Sequence, residues 1–234
     1  MIRFQDATVV APDSGATILH PTTLDLNERR IAILGANGSG KSTLARLVNG
    51  LALPVSGSVT VDGLDTRKHG ALVRRKVGFL FTDPSAQLIM PTAFEDVELS
   101  LRRIIGDRDE RAEAALAALE EIGLRDKADV SVNALSGGQR QLLALAGVLA
   151  TTPSIVVADE PTTLLDLRWK ARVGALLHAL PIQVIEVTHD LDAATRAERA
   201  LVVDEGAVVF DGDPIEAVSF YRELMFQRSV GELA

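Results

Sequence analysis

Cysteine is absent from the 234-residue chain. Disulfide bonds and thiolate metal sites are therefore excluded. The absence of cysteine is compatible with a reducing cytoplasm. Long hydrophobic runs are also missing, since no stretch approaches the roughly 18 apolar residues of a membrane-spanning helix. The N-terminus lacks a basic segment followed by an apolar run. We expect a protein that is neither exported nor inserted in a bilayer.

Positive charge is in deficit, because the formal net charge is −8. Such a balance disfavours broad attachment to nucleic acid or to anionic lipid. We predict no nucleic-acid partner, and we expect any membrane contact to go through another protein. The 47% hydrophobic content can supply the core of one compact domain.

Short apolar runs separated by helical patterns indicate an α/β fold with a buried parallel sheet. The runs are Arg30–Leu34, Val77–Phe81, Ile155–Ala158 and Gln183–Val187. Segments near the N-terminus alternate between apolar and polar residues, which predicts an antiparallel flank. They are Ile2–Val10, Leu24–Leu26 and Ser58–Val61.

A helical pattern interrupts the strands between Pro84 and Ala150. Thr92 and Glu95 have the spacing of a capping box, and an Ala/Leu-rich helix over Glu110–Ile122 should end at Gly123. We predict a helical subdomain over residues 83–150, inserted into an α/β core formed by residues 1–82 and 151–234. Residues 214–234 should form one helix and a short end.

The segment GANGSGKS, residues 35–42, follows a predicted strand and opens a predicted helix over Thr43–Asn49, which is the arrangement of a P-loop. Its backbone N–H groups and the helix N-terminus would bind phosphate oxygens. Lys41 would neutralise the β- and γ-phosphates and Ser42 would bind Mg²⁺. A Gly-rich turn with a solvated lysine is the alternative. The candidate nucleotide-binding residues here are Gly35, Ala36, Asn37, Gly38, Ser39, Gly40, Lys41, Ser42 and Thr43.

An acidic pair follows the apolar run that ends at Ala158. Asp159 would emerge at the carboxyl end of its strand, where ligands bind in open α/β sheets, and is a candidate Mg²⁺ ligand. Glu160 could accept a proton from the water that attacks the γ-phosphate, so it is a candidate catalytic residue. A solvated acidic turn is the alternative interpretation.

The segment LSGGQRQ, residues 135–141, precedes an apolar helix and resembles the signature of ATP-binding cassette (ABC) proteins. A Ser hydroxyl, two glycines and a helix N-terminus form a second anion site. The resemblance implies the P-loop NTPase (RecA-like) fold of the family and a head-to-tail dimer, expected to be a homodimer. Ser136, Gly137, Gly138 and Gln139 would then contact ATP held by the partner's P-loop. A simple Ser N-cap is the alternative interpretation.

Two further positions match the family in the expected order. The resemblance makes Asp166 a dimer-interface residue of the D-loop, with Ser136 at the same interface. It makes His189 the switch histidine that donates a hydrogen bond to the γ-phosphate. His189, Lys41 and Glu160 are thus the candidate catalytic residues. The other three histidines match no motif.

The segment Phe79–Leu88 is similar to ATPases of energy-coupling-factor (ECF) importers. That resemblance implies a transmembrane coupling protein and a membrane-embedded substrate-binding subunit, with transport of a vitamin such as biotin or of a metal ion. The chain would lie at the cytoplasmic face of the membrane. Glu95, Asp96 and Glu98 could receive arginines of the coupling protein or simply suit the helix dipole.

The chain departs from the family pattern at three positions. Thr82 replaces the Q-loop glutamine, so its role as a Mg²⁺ ligand is in doubt and we predict weaker coupling to the membrane partner. Ala11 stands where an aromatic ring stacks on adenine, which predicts loose recognition of the base. Leu164 replaces a D-loop glycine and could alter φ there.

Other classes of function remain open. A soluble ABC ATPase of iron–sulfur cluster assembly would share all the motifs. A P-loop kinase would share Lys41 and Asp159 but leaves Leu135–Gln141 unexplained. Ribosomal members usually carry two cassettes and DNA-repair members carry long coiled coils, neither of which is present.

Overall fold

The computed structural model describes residues 1–231, which form an α/β protein with two sheets. The strands are β1 (Ile2–Val10), β2 (Thr17–Leu26), β3 (Arg30–Leu34), β4 (Ser56–Val61), β5 (Leu64–Asp65), β6 (Val77–Leu80), β7 (Ile155–Asp159), β8 (Gln183–Val187), β9 (Arg199–Asp204) and β10 (Ala207–Gly212). The helices are α1 (Lys41–Asn49), α2 (Gly70–Lys76), α3 (Ala93–Leu101), α4 (Arg108–Glu121), α5 (Gly137–Ala150), α6 (Leu167–Ala179), α7 (Leu191–Ala194) and α8 (Pro214–Gly231).

The larger sheet has the strand order β10-β9-β3-β8-β7-β6. All neighbours from β9 to β6 run parallel, and only β10 is antiparallel to β9. The four predicted parallel strands are thus confirmed within one residue at their ends. The pairing of β9 with β3 adds a fifth parallel strand, which the sequence reading did not identify.

The smaller sheet has the order β2-β1-β4-β5 and is antiparallel throughout. Its inner face, with Phe4 and Leu26 fully buried, packs with α1 against one face of the larger sheet. The predicted antiparallel flank is therefore confirmed. Because α1 lies between the two sheets, the loop that precedes it is held from both sides.

Helices α3, α4 and α5 form a separate layer with its own apolar cluster on the other face of β6 and β7. Thr92 accepts a hydrogen bond from the Glu95 amide, and Glu95 accepts one from the Thr92 amide, so the predicted capping box is present. Gly123 has φ 71° just beyond α4, as expected for a helix end. We retain the division into an α/β core and a helical subdomain as a proposal.

Helix α8 packs beside β9 and β3, where Ala217 and Val218 join a third apolar cluster. It begins at Pro214 as predicted, and the predicted short end over residues 232–234 lies outside the described residues. Within residues 1–231 no helix combines the length and the apolar character needed to cross a membrane.

Candidate active site

The P-loop runs from the end of β3 at Leu34 to the start of α1 at Lys41, two residues earlier than the helix start predicted from the sequence. Gly40 has φ 100°, and a Cβ there would lie 2.8 Å from the carbonyl oxygen of Ile18. Only glycine fits both constraints. The Ser39 hydroxyl is buried and has no hydrogen-bond partner among the described residues, so it is free to donate to a phosphate oxygen.

Ser42 and Asp159 come together although 117 positions separate them in the chain. The Ser42 Oγ donates a hydrogen bond of 2.8 Å to the Asp159 Oδ1 at the end of β7. The other carboxylate oxygen lies 3.4 Å from the Arg46 guanidinium. A hydroxyl and a carboxylate at a phosphate-binding loop are the oxygen donors that Mg²⁺ prefers, so this pair fits the predicted metal site.

Glu160 lies at the centre of a cluster of the candidate catalytic side chains. Its Oε1 is 3.3 Å from Lys41 Nζ, and its Oε2 is 2.9 Å from His189 Nδ1. The Thr163 hydroxyl also donates to Oε2 at 2.8 Å. All three predicted catalytic residues therefore meet at the carboxyl ends of β7 and β8.

The environment of Glu160 favours its ionised form. Burial would raise the pKa of Glu160, but the Thr163 hydrogen bond, the Lys41 charge and the His189 contact together hold it below its usual value. Its φ of 51° is in the left-handed region, which is uncommon for a residue with a side chain. The strained backbone aims an ionised carboxylate at the P-loop lysine.

Thr82 lies beside this cluster, two residues after the end of β6. Its hydroxyl donates a hydrogen bond of 2.7 Å to the main-chain carbonyl oxygen of Asp159. The hydroxyl oxygen retains lone pairs, but its short side chain is tied to the strand end. Thr82 thus supports the backbone of the candidate metal ligand, and its own role as a ligand stays a prediction.

The signature segment begins α5. Ser136 and Gln139 form a capping box in which each side chain accepts a hydrogen bond from the other's amide, at 3.3 and 2.9 Å. Ser136 and Gly137 are exposed, whereas Gly138 is buried. The N-cap interpretation is therefore correct for the isolated chain, and it leaves the tip of the helix accessible to a second molecule.

Gly138 is packed against the helix that follows the D-loop. A Cβ on Gly138 would lie 2.1 Å from Cδ2 of Trp169. Asp166 caps α6 by accepting a hydrogen bond of 2.9 Å from the Trp169 amide. The Trp169 ring thus packs on the signature helix at Gly138, while the Trp169 amide bonds to Asp166. No hydrogen bond joins residues 135–141 to the P-loop within the described chain.

Replacing Gly138 by alanine is expected to lower the free energy of unfolding by about 1–3 kcal/mol, because the methyl group overlaps the Trp169 ring. Gly137→Ala is the matched control, since a Cβ at Gly137 meets no atom within 4 Å. Urea denaturation of the two variants measures the difference. Equal stability of the two variants would contradict this packing.

The remaining departures have simple structural descriptions. Ala11 lies at the start of the turn between β1 and β2, where its carbonyl oxygen accepts from Gly15, and it offers no ring. Leu164 is 66% exposed and has no positive φ, so the leucine causes no backbone strain. A small cavity of about 110 Å³ brings Leu164 together with Thr82 and Gly137.

The acidic residues of α3 all have partners within the chain. Glu95 belongs to the capping box, and Asp96 is buried and accepts hydrogen bonds from the amides of Ile89 and Met90. Glu98 pairs with Arg111 at 2.5 Å. These contacts favour the local interpretation of the acidic cluster over its use as a receptor for foreign arginines.

Two neighbours of the acidic pair were not predicted from the sequence, namely Thr163 beside Glu160 and Arg46 beside Asp159. Thr163 carried a weak signal, because a hydroxyl residue three positions after Glu160 can reach back in a turn. Arg46 carried none, since its contact with Asp159 depends on the pairing of distant segments.

Comparison with known proteins agrees with this geometry. Residues 19–163 match the ABC transporter family. The chain is 40% identical to the biotin transport ATP-binding protein BioM of Rhizobium etli, over 95% of this chain and 98% of that protein. It is also 40% identical to the energy-coupling factor transporter ATP-binding protein EcfA1 of Lactiplantibacillus plantarum, over 80% of this chain and 68% of that protein.

Solved structures with the same fold include CbiO1 of Clostridium perfringens, part of the ABC transporter complex CbiONQ. It superimposes with a TM-score of 0.82 at 29% identity and covers 99% of this chain and 97% of that one. The dimeric ATP-binding cassette MJ0796 bound to ADP and Pi has the same TM-score at 32% identity, covering 92% of this chain and 99% of that one. The predicted ABC ATPase fold is thereby confirmed.

Proposed function

The chain belongs to the ABC transporter family as an ATP-hydrolysing, ATP-binding subunit, and from that membership we propose that it energises an ECF-type importer. The observation that carries the proposal is the match to BioM along nearly the full length of both chains. The segment Phe79–Leu88, which is similar to ECF importer ATPases, agrees with it. The transported compound is proposed to be a vitamin such as biotin, or a metal ion.

We propose that ATP is bound with its γ-phosphate between the P-loop and the end of β7. Lys41 neutralises the phosphate charge, and the buried Ser39 hydroxyl and the loop amides donate hydrogen bonds. Ser42 and Asp159 hold Mg²⁺, which supplies charge neutralisation of the phosphate oxygens when bound. Glu160 orients the attacking water and accepts its proton, while His189 donates to the γ-phosphate.

The signature helix is proposed to act on a neighbouring molecule. Ser136 and Gly137 lie exposed at the N-terminus of α5, where amide groups favour a negative charge. In a head-to-tail homodimer this tip closes the partner's ATP site, and hydrolysis reopens the pair. The dimeric state of the MJ0796 cassette supports this arrangement.

The proposed partners are a transmembrane coupling protein and a membrane-embedded substrate-binding subunit, with this chain at the cytoplasmic face. The test is purification of the tagged protein from membranes of its host, followed by identification of the bound subunits. ATP hydrolysis by the reconstituted complex should rise with biotin or with a cobalt or nickel salt, and a Glu160→Gln complex should not respond. Recovery of a soluble iron–sulfur scaffold instead would overturn the proposal.

Replacing Thr82 by glutamine is expected to raise hydrolysis stimulated by the membrane subunits, because a longer side chain reaches the metal and the attacking water. Thr82→Ser retains the hydroxyl that bonds to the Asp159 carbonyl and serves as the control. The measurement is the ratio of stimulated to basal hydrolysis at several Mg²⁺ concentrations. An unchanged ratio in Thr82→Gln would show that Thr82 does not limit coupling.

A further inference from the structure

The turn between β9 and β10 has an unusual backbone. Glu205 has φ 45° and Gly206 has φ 78°, and Asp204 pairs directly with Ala207. Two central residues with positive φ are typical of the tight type I′ hairpin turn. Glycine adopts this conformation freely, but a glutamate does so at a cost. A contact that holds the Glu205 side chain would offset this cost.

This turn lies against the P-loop. The Gly206 amide donates a hydrogen bond of 2.8 Å to the Ser39 carbonyl oxygen, and the His20 amide donates one of 2.7 Å to the Gly206 carbonyl oxygen. Gly206 is so close to β2 that a Cβ on it would lie 2.7 Å from the Ile18 carbonyl oxygen. The turn thus lies between β2 and the P-loop, and it contacts the P-loop at Ser39, two residues before Lys41.

Arg228, near the end of α8, fastens the turn from the other side. Its Nη2 lies 2.6 Å from the Asp204 Oδ2 and 2.8 Å from the Glu205 Oε1. The Asp204 side chain is only 11% exposed, whereas that of Glu205 is 79% exposed. Loss of the arginine would leave a largely buried carboxylate without its cation, which costs more than loss of a surface ion pair.

We propose that Arg228 is a positioning residue for ATP binding, which acts through the β9–β10 turn on the P-loop. The ion pairs hold Glu205 in its left-handed conformation. The neighbouring Gly206 amide then holds the Ser39 carbonyl oxygen of the P-loop. The loop amides that receive the phosphates are thereby fixed before the nucleotide arrives, so that binding does not have to order them. The inference rests on ATP binding at the P-loop and is independent of the importer type and of the transported compound.

The test compares ATP hydrolysis by the purified full-length chain and its variants. Arg228→Ala is expected to raise the KM for ATP about three- to ten-fold and to change kcat less than two-fold, because the chemistry at Glu160 is untouched. Arg228→Lys should recover most of the affinity. Arg222→Ala is the matched control, since Arg222 is an exposed arginine of the same helix whose side chain makes no hydrogen bond or ion pair with the described residues.

A second variant tests the proposal even if Arg228→Ala fails to fold. Glu205→Gln changes an exposed side chain, removes one of the two ion pairs, and should raise the Kd for ATP in calorimetry in the same direction but less strongly. A lower melting temperature of Arg228→Ala with unchanged KM and Kd would overturn the proposal, as would equal effects of Arg228→Ala and Arg222→Ala. Because no membrane subunit is present, a failed importer assignment leaves this outcome unaffected.

Discussion

A Glu160→Gln variant is expected to hydrolyse ATP about 100- to 10,000-fold more slowly than the native protein while still binding it. Glutamine keeps an oxygen that can accept the Thr163 hydrogen bond but cannot take a proton from water. It also removes the carboxylate that faces Lys41 at 3.3 Å, so the lysine keeps its full charge for the phosphates. Binding of nucleotide should therefore be retained or tightened.

The same substitution should reveal the dimer. When hydrolysis is blocked, the ATP-bound pair cannot reopen, so the variant should elute at twice the monomer mass with ATP and Mg²⁺ and at the monomer mass with ADP. Single-turnover hydrolysis and light scattering are the two measurements. Glu121→Gln, an exposed carboxylate of α4, is the control and should match the native protein. Native hydrolysis rates in Glu160→Gln would exclude it as the proton acceptor.

The parts of the molecule that could be read from the sequence are those in which a local pattern determines the structure. The strand Arg30–Leu34 is buried along its whole length and apolar after Arg30, and the Thr92–Glu95 capping box depends on only four residues. The cluster of Lys41, Glu160 and His189 could also be predicted from the sequence, because parallel strands place their carboxyl ends at one edge of the sheet.

Contacts between distant segments could not be read in this way. The strands Arg199–Asp204 and Ala207–Gly212 each contain four consecutive apolar residues, a signal that the sequence analysis did not use. The fit of Trp169 over Gly138, in contrast, is a packing match that spacing does not encode. The acidic residues of α3 allowed two interpretations, contact with arginines of a partner protein or a local role in the helix. Asp96 is buried and accepts hydrogen bonds from local amides, which favours the local role for that residue.

Glu186 is the clearest case of a residue whose environment the sequence concealed. It lies on β8 and faces a cavity of about 600 Å³ beneath α6 and α7, away from the P-loop. No described residue donates a hydrogen bond to its carboxylate. Burial, and secondarily the Asp190 charge, raise the pKa of Glu186 to about 7, against smaller opposite effects of Arg196 and Lys170. The other charged or titratable groups that line the cavity are Arg30, His178 and Asp192.

The raised pKa implies a pH-dependent cost to folding. The folded-state pKa is near 7 and the unfolded value is 4.5, so folding favours the protonated carboxyl. The stabilisation from protonation is complete below about pH 4.5 and is lost as the pH rises through about 7. The difference between the two pKa values corresponds to an upper limit of about 3 kcal/mol.

Glu186→Gln is therefore expected to increase the free energy of unfolding by about 1–3 kcal/mol at pH 8 and by less than about 1 kcal/mol at pH 5, because the amide resembles the protonated acid. Urea denaturation at several pH values measures the effect, and Glu113→Gln, an exposed acid of α4, is the control. A stabilisation that is independent of pH would mean that the carboxylate is not the group responsible. A destabilisation at pH 8 would mean that the carboxylate is better solvated in its cavity than its position on β8 indicates. In that case ionisation of Glu186 would not destabilise the folded state, and the substitution could relieve nothing.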